Sequence, residues 1–266
     1  MRTVTDYNDQ SAIIQWERIP IDDVGYINSN EILAMDDDAF ESMAYNFERT
    51  RYNGWRNIHN LWRDTLGLDI TEGKTILDYG CGFGMESLQF AKKGNIVIAS
   101  DISDANLSVA RRLMNLHGYN TSIDSSTVMF MKVSVAYPYI IQPLPPIDVF
   151  YANGVLHHTP HATDILKEIK RFLSHDGEVR LMLYSDIGFK WATGELPTDP
   201  KQDITEHPKF KQFVARFDGT GSYADWYNLE KINVRFGEDY TIDKFNYIAE
   251  VNNTFGIFCT VTLIPK

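Results

Sequence analysis

The sequence predicts an α/β protein with a doubly wound, mostly parallel sheet of seven strands. Five short apolar runs alternate with helical patterns between residues 75 and 184, which is typical of a parallel sheet covered by helices. A glycine-rich turn follows the first of these runs directly. Two further strand patterns, over residues 245–249 and 257–264, end the chain and bring the number of strands to seven.

The chain is expected to divide into four segments. Residues 1–72 form an N-terminal helical cap, and residues 73–185 form the ligand-binding core. Residues 186–236 form an inserted, aromatic-rich subdomain. Residues 237–266 supply the last two strands, which complete the core sheet.

The composition is that of a folded protein, and its charge disfavours a nucleic-acid partner. Of the 266 residues, 44% are apolar and 13% are aromatic, enough for a large core. The net charge of -11 disfavours a nucleic-acid partner, because a phosphate backbone is bound by clustered Lys and Arg. Cys81 and Cys259 form neither a disulfide framework nor a zinc-type pair, so a reducing cytoplasm is expected. No run is long enough to span a membrane, and the polar N-terminus lacks a signal-peptide apolar region.

Residues 1–72 contain two helical patterns that start at the acidic run of residues 36–38. The first carries apolar residues at helical spacing, namely Phe40, Met43, Ala44 and Phe47. The second covers about residues 54–66, and a short strand is expected over residues 12–17. The helices either pack on the edge of the sheet or cover the ligand site.

The first core strand, residues 75–77, leads into a turn that contains Asp78 and then three glycines at alternate positions, Gly80, Gly82 and Gly84. Glycine lets the chain bend sharply and lets a ligand touch bare backbone. The helix that follows begins at Met85 and offers free N–H groups and a partial positive charge.

Two ligand classes use such a turn. The dinucleotide fingerprint G-x-G-x-x-G needs its third glycine for helix packing, and Met85 stands in that place here. Asp78 precedes the first glycine by two positions, where its carboxylate would repel a pyrophosphate. A carboxylate at this position suits a cationic ligand instead.

The second core strand ends in Asp101, seventeen positions beyond Gly84. A carboxylate at this strand end can accept hydrogen bonds from both hydroxyls of a ribose. Ordinary exposed strand ends also carry Asp, but its place after a glycine turn favours ligand binding. Ser103 and Asp104 then start the next helix.

His157 and His158 follow the fourth core strand. Ligands of open α/β sheets bind outside the carboxyl ends of the strands, so both imidazoles are expected at the reaction centre. His157 is a candidate general base and His158 a candidate substrate contact, although one of such a pair often only supports the loop. Tyr184, which ends the fifth strand, is a second catalytic candidate. No carboxylate stands at fixed spacing from His157, His158 and His161, so no metal site is expected.

The run from Asp78 to Gly84, Asp-Tyr-Gly-Cys-Gly-Phe-Gly, resembles the first motif of class I S-adenosylmethionine (SAM) methyltransferases. The run from Gly154 through the double His to Gly177 resembles a segment of the members that alkylate small molecules, and the resemblance covers about residues 74–185. It implies a terminal antiparallel hairpin, SAM as the cofactor, and methyl transfer to an oxygen or nitrogen of a small molecule. A methyltransferase acting on RNA or protein, and a SAM-binding protein without transferase activity, are the alternatives.

The resemblance also assigns the cofactor contacts. The residues expected to hold SAM are Asp78, Gly80, Cys81, Gly82, Gly84, Asp101, Ile102, Ser134, Val135, Asn153 and Gly154. Ser134 and Val135 depart from the family, which usually has an acidic residue there near the adenine amine. N-terminal helices of similar proteins close over the methionine end of SAM. A Tyr or Arg of the aromatic and basic edge formed by Tyr45, Arg49, Tyr52 and Trp55 is therefore expected to bind the SAM carboxylate.

Residues 186–236 break the alternation of strands and helices. They contain nine aromatic residues, too many for a disordered linker, and they start at the carboxyl end of the sheet. We expect Tyr223, Trp226 and Tyr227 to enclose an apolar or planar acceptor and to favour a cationic one through cation–π contact. A dimerisation surface, and hence a homodimer, is the alternative.

Overall fold

The computed structural model describes residues 9–22, 25–121, 127–134, 144–218 and 223–266. Within these ranges, seven strands form one large sheet and two more form a small antiparallel pair near the N-terminus. The strands are β1 Arg18–Asp22, β2 Gly25–Asn28, β3 Thr75–Tyr79, β4 Ile96–Asp101, β5 Val128–Lys132, β6 Ile147–Asn153, β7 Leu173–Tyr184, β8 Tyr240–Val251 and β9 Thr254–Pro265. The helices are α1 Asp9–Trp16, α2 Ser29–Leu33, α3 Asp37–Asn53, α4 Leu61–Leu66, α5 Met85–Lys92, α6 Asp104–Leu116, α7 Ala162–Lys170, α8 Asp186–Thr193, α9 Phe210–Asp218 and α10 Leu229–Phe236.

The large sheet confirms the predicted fold class. Its strands lie in the order β5-β4-β3-β6-β7-β9-β8, and the neighbours from β5 to β7 are parallel. β9 is antiparallel to both β7 and β8. Asn252 and Asn253 both have positive φ and form the two-residue turn of the terminal hairpin. β7 and β8 each begin five residues earlier than predicted, at 173 instead of 178 and at 240 instead of 245.

Helices cover both faces of the sheet. On one face, Leu88 of α5 and Leu113 of α6 belong to an apolar cluster with the buried side chains of α3 and α4. On the other face, Ile165 of α7 and Ile232 of α10 belong to a second cluster. The chain therefore alternates across the sheet, as expected for a doubly wound fold.

The aromatic segment joins both of these layers. Phe189 of α8 and Phe213 of α9 lie in the same apolar cluster as Ile76 of β3. α10 packs beside α7 on the opposite face. The segment thus shares the core of the protein, and its separation as a substrate subdomain stays a prediction.

The N-terminal region differs from the sequence prediction in two places. Residues 12–16, predicted as part of a strand, lie within α1. Ala12 and Trp16 are one helical turn apart, and both pack with Ile102, with Ala12 fully buried. The apolar residues of this run therefore lie on the buried face of a helix. The alternating pattern expected of a strand does not reveal such a face.

The predicted helix over residues 54–66 is broken. A 3₁₀ segment, Trp55–Asn60, precedes α4, and His59 and Asn60 both have positive φ. The Asn57 side chain explains the break: its Nδ2 donates to the Tyr52 carbonyl at 2.8 Å, and its Oδ1 accepts from the Arg63 N–H at 3.1 Å. An Asn that bonds to nearby backbone in this way competes with helix formation.

No helix in the described ranges is both long enough and apolar enough to cross a membrane.

Candidate functional site

Two adjoining cavities lie at the carboxyl end of the parallel sheet. The smaller has a volume of about 160 Å³ and the larger a volume of about 610 Å³. The two cavities share a wall made by Trp16, Arg51, Asn153, Gly154 and His158. Ligands in the two cavities would therefore lie next to one another.

The glycine turn and the end of β4 line the smaller cavity. Of the predicted cofactor contacts, Asp78, Gly80, Cys81, Gly82, Asp101, Ile102, Asn153 and Gly154 line it. Ser134 and Gly84 line neither of the two cavities, and Val135 lies outside the described residues. The sequence therefore placed most of this set together.

Asp101 joins the glycine turn to the start of α6. Its Oδ2 accepts a hydrogen bond from the Gly82 N–H at 3.0 Å, and its Oδ1 accepts from the Ser103 N–H at 2.9 Å and from Asn106 Nδ2 at 3.0 Å. Burial raises the pKa of Asp101, and these three donors oppose that rise. A carboxylate has about four acceptor positions, so about one remains for a ligand hydroxyl.

Asp78 is a second buried carboxyl in the same wall. Its Oδ2 accepts from Ser87 Oγ at 2.5 Å. Burial raises the pKa of Asp78 to about 7, and the nearby carboxylates of Glu86 and Asp101 add to that rise. The carboxyl is therefore poised to ionise when a cation arrives beside it.

Glycine is required at positions 82 and 84 for different physical reasons. Both have positive φ, 52° and 85°. A Cβ on Gly84 would lie 2.8 Å from Cβ of the buried Ala110, so this position fixes the packing of α5 on α6. A Cβ on Gly82 would meet no atom within 4 Å, and Gly82 faces the cavity. Only Gly82 thus leaves room for a ligand to approach the backbone.

Arg51 is a cavity residue that the sequence analysis missed. Its guanidinium makes a bidentate ion pair with Glu86, through Nε to Oε1 at 2.5 Å and Nη2 to Oε2 at 2.9 Å. Arg49 and Tyr45, in the segment expected to provide a SAM carboxylate contact, are exposed instead. A signal was present, because Arg51 follows Phe47 by four residues on the buried face of α3.

The predicted catalytic residues line the larger cavity. His157 is fully buried and stacks on Tyr184, with ring centroids 3.8 Å apart. The Tyr184 N–H donates to His157 Nδ1 at 3.3 Å, so the neutral ring carries its proton on Nε2. Burial, with the neighbouring His158, lowers the pKa of His157 well below its usual value. This environment suits a hydrogen-bond donor more than the general base that the sequence predicted.

Three buried polar atoms in the cavity walls have no hydrogen-bond partner among the described residues. They are Trp62 Nε1, His157 Nε2 and Asn153 Oδ1. A buried polar atom without a partner costs roughly 1–3 kcal/mol, so such atoms are commonly satisfied by a ligand. The larger cavity thus offers two donors, Trp62 Nε1–H and His157 Nε2–H, and the shared wall offers one acceptor.

The predicted substrate contacts are only partly brought to the site. His158 lines both cavities, but Tyr223, Trp226 and Tyr227 line neither and are buried. Their segment supports the loops from behind, where the Asp225 N–H donates to the His157 carbonyl at 2.8 Å. From the aromatic segment, the residues that do line the larger cavity are Trp191, Arg216 and Phe217. Sequence reasoning could not rank these aromatics, because their burial depends on packing between α8 and α9.

The three histidines considered for a metal have different neighbours. His161 is paired with Asp164 at 3.6 Å, while His157 and His158 contact each other's rings at 4.1 Å. Within the part of the chain that the structure describes, no three His, Cys, Asp or Glu side chains form a metal-binding group.

Comparisons with known proteins point to one family. Residues 77–181 match a family model described as a methyltransferase domain. The chain is 32% identical over 121 residues to the ubiquinone biosynthesis O-methyltransferase of Pasteurella multocida (strain Pm70), which covers 45% of this chain and 50% of that protein. It is 25% identical over 160 residues to the O-antigen chain terminator bifunctional methyltransferase/kinase WbdD of Escherichia coli, which covers 58% of this chain and 21% of that protein. The chain thus spans half the length of the first relative and about a fifth of the second.

Solved structures share the fold. Magnesium protoporphyrin IX methyltransferase from Synechocystis PCC 6803 with bound SAH aligns with a TM-score of 0.53 at 15% identity, covering 89% of this chain and 92% of that chain. The PH0226 protein from Pyrococcus horikoshii OT3 aligns with a TM-score of 0.57 at 15% identity, covering 82% and 91%. The family-model match runs from β3 to β7 and includes the glycine turn, Asp101 and the double His. Residues 77–181 of this chain are therefore similar to a methyltransferase domain, and the chain shares the fold of these solved structures.

Proposed function

We propose that this protein is a SAM-dependent methyltransferase that acts on an oxygen or nitrogen of a small-molecule acceptor. The observation that carries the proposal is the pair of adjoining cavities, one lined by the glycine turn and Asp101, the other by His157 and Tyr184. Transfer between two bound molecules requires that they be held side by side in a dry site. The relatives named as O-methyltransferases support the same reading.

The smaller cavity offers groups that fit SAM. The Asp101 carboxylate suits the ribose hydroxyls, the open space at Gly82 admits close approach to the backbone, and Asn153 Oδ1 is an acceptor without a partner. When bound, SAM supplies a methyl group on a cationic sulfur that is activated toward displacement. Asp78 provides negative charge in the same wall.

Arg51 is our candidate for the group that binds the SAM carboxylate. It lines both cavities, and it stays charged because Glu86 raises its pKa despite burial. Its two bonds to Glu86 leave other N–H groups of the guanidinium for a second carboxylate. The pairing with Glu86 also fixes the orientation of the side chain.

In the larger cavity, this chain's residues orient the acceptor and exclude water. Aromatic rings of Trp55, Tyr184 and Phe258 form part of its wall, and Trp55 contacts Phe258 with ring centroids 5.3 Å apart. His157 Nε2 is the donor that would hold an acceptor oxygen near the shared wall. An acceptor-sized cavity of this kind weighs against a SAM-binding protein without transferase activity.

We also propose that the protein acts in the cytoplasm on a free small molecule. The acidic net charge of -11 weighs against an RNA substrate, and the double cavity is the size of a small ligand. A homodimer remains a separate proposal, to be tested by light scattering.

The proposal is tested by binding and transfer together. Calorimetry of the purified protein with SAM, its demethylated product SAH, and NAD should give micromolar binding of the first two only. A panel of hydroxyl- and amine-bearing aromatic compounds is then screened for SAH release, and hits are confirmed by the mass of one added methyl group. Tight NAD binding without SAM binding would contradict the proposed function.

A further inference from the structure

The larger cavity has more positive charge in its wall than negative charge. Its lining includes three arginines, Arg51, Arg56 and Arg216. Glu86 balances Arg51 through the bidentate ion pair. Neither Arg56 nor Arg216 forms an ion pair with any residue in the described ranges, and these ranges place one carboxylate in the lining, that of Glu250. Two guanidinium groups thus face one carboxylate.

Both arginines are held in place by an indole ring. The Cζ atom of Arg56 lies 5.0 Å from the ring centroid of Trp55, and that of Arg216 lies 4.4 Å from the ring centroid of Trp191. All four side chains line the larger cavity. A guanidinium that stacks on an aromatic face keeps its N–H edge available for a ligand.

The surroundings of Arg56 disfavour its positive charge. Burial and the positive charge of Arg51 together lower its pKa to about 10. An anion bound beside Arg56 would offset both effects. A cation in the same place would increase them, and this argues against the cationic acceptor that the aromatic composition alone suggested.

The rest of the wall suits a flat molecule. The ring of Tyr184 lies 4.3 Å from that of Phe217 and 5.5 Å from that of Phe258, with the latter pair nearly parallel at 18°. Flat aromatic surfaces of this kind favour stacking with a planar ligand. The cavity thus combines planar apolar walls with two anchored guanidinium groups.

We infer that the acceptor is an aromatic carboxylate, whose ring lies against the aromatic part of the cavity wall and whose carboxylate is bound by Arg56 and Arg216. Guanidinium forks match carboxylates in shape and charge. This inference rests on the proposed function, since it assigns the acceptor of the same site.

Three probes with one ring system and different charge test the inference. They are a hydroxynaphthoate, its neutral amide, and the corresponding aminomethylnaphthol, which is a cation at neutral pH. Calorimetry is run with the protein saturated with SAH, and SAH binding is measured first by itself. The affinity for the carboxylate should exceed that for the amide by at least about tenfold, and the cation should bind most weakly.

Variants identify the groups responsible. Arg56→Gln and Arg216→Gln should each reduce the preference for the carboxylate about tenfold, and Arg56→Lys should retain part of it. Arg171→Gln is the matched control. The substitution removes the same charge from an exposed side chain, and Arg171 lines neither cavity. It should leave the order of the three probes unchanged.

The inference is overturned if the amide or the cation binds as tightly as the carboxylate, if none of the three binds, or if the preference survives both glutamine variants. Failure of SAH to bind would instead contradict the proposed function. The order of the three probes on the protein without SAH would still test the acceptor class in that case.

Discussion

The two adjoining cavities are assembled in different ways. The smaller one takes much of its wall from residues 78–86 and 101–106, which directly follow β3 and β4. The larger one takes its wall from residues as far apart as Trp16 and Phe258. The smaller cavity, which we propose as the cofactor site, is thus formed by short local motifs. The larger cavity, which we propose as the acceptor site, is formed by contacts between distant segments.

Trp226 and Trp191 offer the sharpest test of which aromatics form the acceptor site. Trp226 is 2% exposed, and Lys231 Nζ lies 4.2 Å from its ring. Trp226→Ala should destabilise the protein by about 3–5 kcal/mol, because it leaves a cavity in the core. Trp191→Ala, in the wall of the larger cavity, should cost less stability and weaken binding of the hydroxynaphthoate. Urea unfolding and calorimetry on both variants make the measurement.

If Trp226→Ala instead kept wild-type stability and lost the ligand, the aromatic segment would face the acceptor as the sequence first suggested. Lys231 makes the predicted loss of stability larger, since its ammonium and the Asp225 carboxylate are fully buried at 2.6 Å from each other. Removing the ring beside this pair changes the surroundings of two buried charges.

Most of the residues that the sequence predicted to hold SAM line one cavity, because glycine and Asp are required there by backbone geometry and hydrogen bonding. Gly82, Asp101 and Asn153 all line the smaller cavity. The strands of the sheet were also predictable, since each contains an apolar run, although β7 and β8 extend beyond theirs. The break at residues 55–60 was not, because it depends on the side-chain hydrogen bonds of Asn57.

The sequence could not indicate which residues line the larger cavity, for a physical reason. Arg56 and Arg216 are 160 positions apart, and neither has a neighbour in sequence that indicates a common ligand. Trp191 and Trp226 are both tryptophans in one aromatic segment, yet only the first lines the larger cavity. Burial of this kind follows from tertiary packing, which a local pattern does not record.

Gly84 and Gly82 lie in the same turn, but we expect them to differ in their effects on stability and on SAM binding. Gly84→Ala should destabilise the protein by about 3 kcal/mol, because it combines left-handed strain with overpacking against Ala110. Gly82→Ala should cost about 1–2 kcal/mol, since it brings the strain alone, but it should weaken SAM binding. Thermal unfolding and calorimetry separate the two effects. Equal losses of stability in both variants would contradict this division.

Asp78 gives the cofactor site a dependence on pH. Its pKa of about 7 lies above the ordinary 3.8, so the carboxyl of the free protein is mostly protonated below pH 7. A cation favours the ionised form, so SAM affinity should rise about tenfold between pH 6 and pH 8. Asp78→Asn should remove this dependence, as measured by calorimetry across the range. An unchanged slope in the variant would assign the dependence to another group.

The same shift acts on the stability of the free protein with a definite sign. The unfolded carboxyl ionises near 3.8, while the folded one stays protonated up to about 7. Asp78 therefore stabilises the fold at low pH, and this contribution is lost as the pH rises from about 4 through 7. Asp78→Asn should flatten that part of the stability profile.

Substitution of His157 is expected to have a smaller effect than the substitutions of tryptophan, glycine and Asp78 described above. His157→Ala should lower turnover roughly fivefold with little change in SAM affinity, because it removes one hydrogen-bond donor from the acceptor side. His157→Gln, which keeps an N–H donor, should restore part of the rate. Since burial lowers the pKa of His157 well below its usual value, the rate should show no titration of this group near pH 6.5. A rate that titrates there only when His157 is present would restore the general-base role.

The central claim is that the glycine turn and Asp101 hold SAM, and one calorimetric comparison tests it most directly. Asp101→Ala should weaken binding of both SAM and SAH by about 1–3 kcal/mol, the scale of hydrogen bonds to a charged group. Ser103→Ala is the matched control, because it removes the N-cap of α6 beside Asp101 without touching the cavity. It should lower stability by about 1 kcal/mol and leave SAM affinity unchanged. Wild-type SAM affinity in Asp101→Ala, or an equal loss of affinity in Ser103→Ala, would contradict the account.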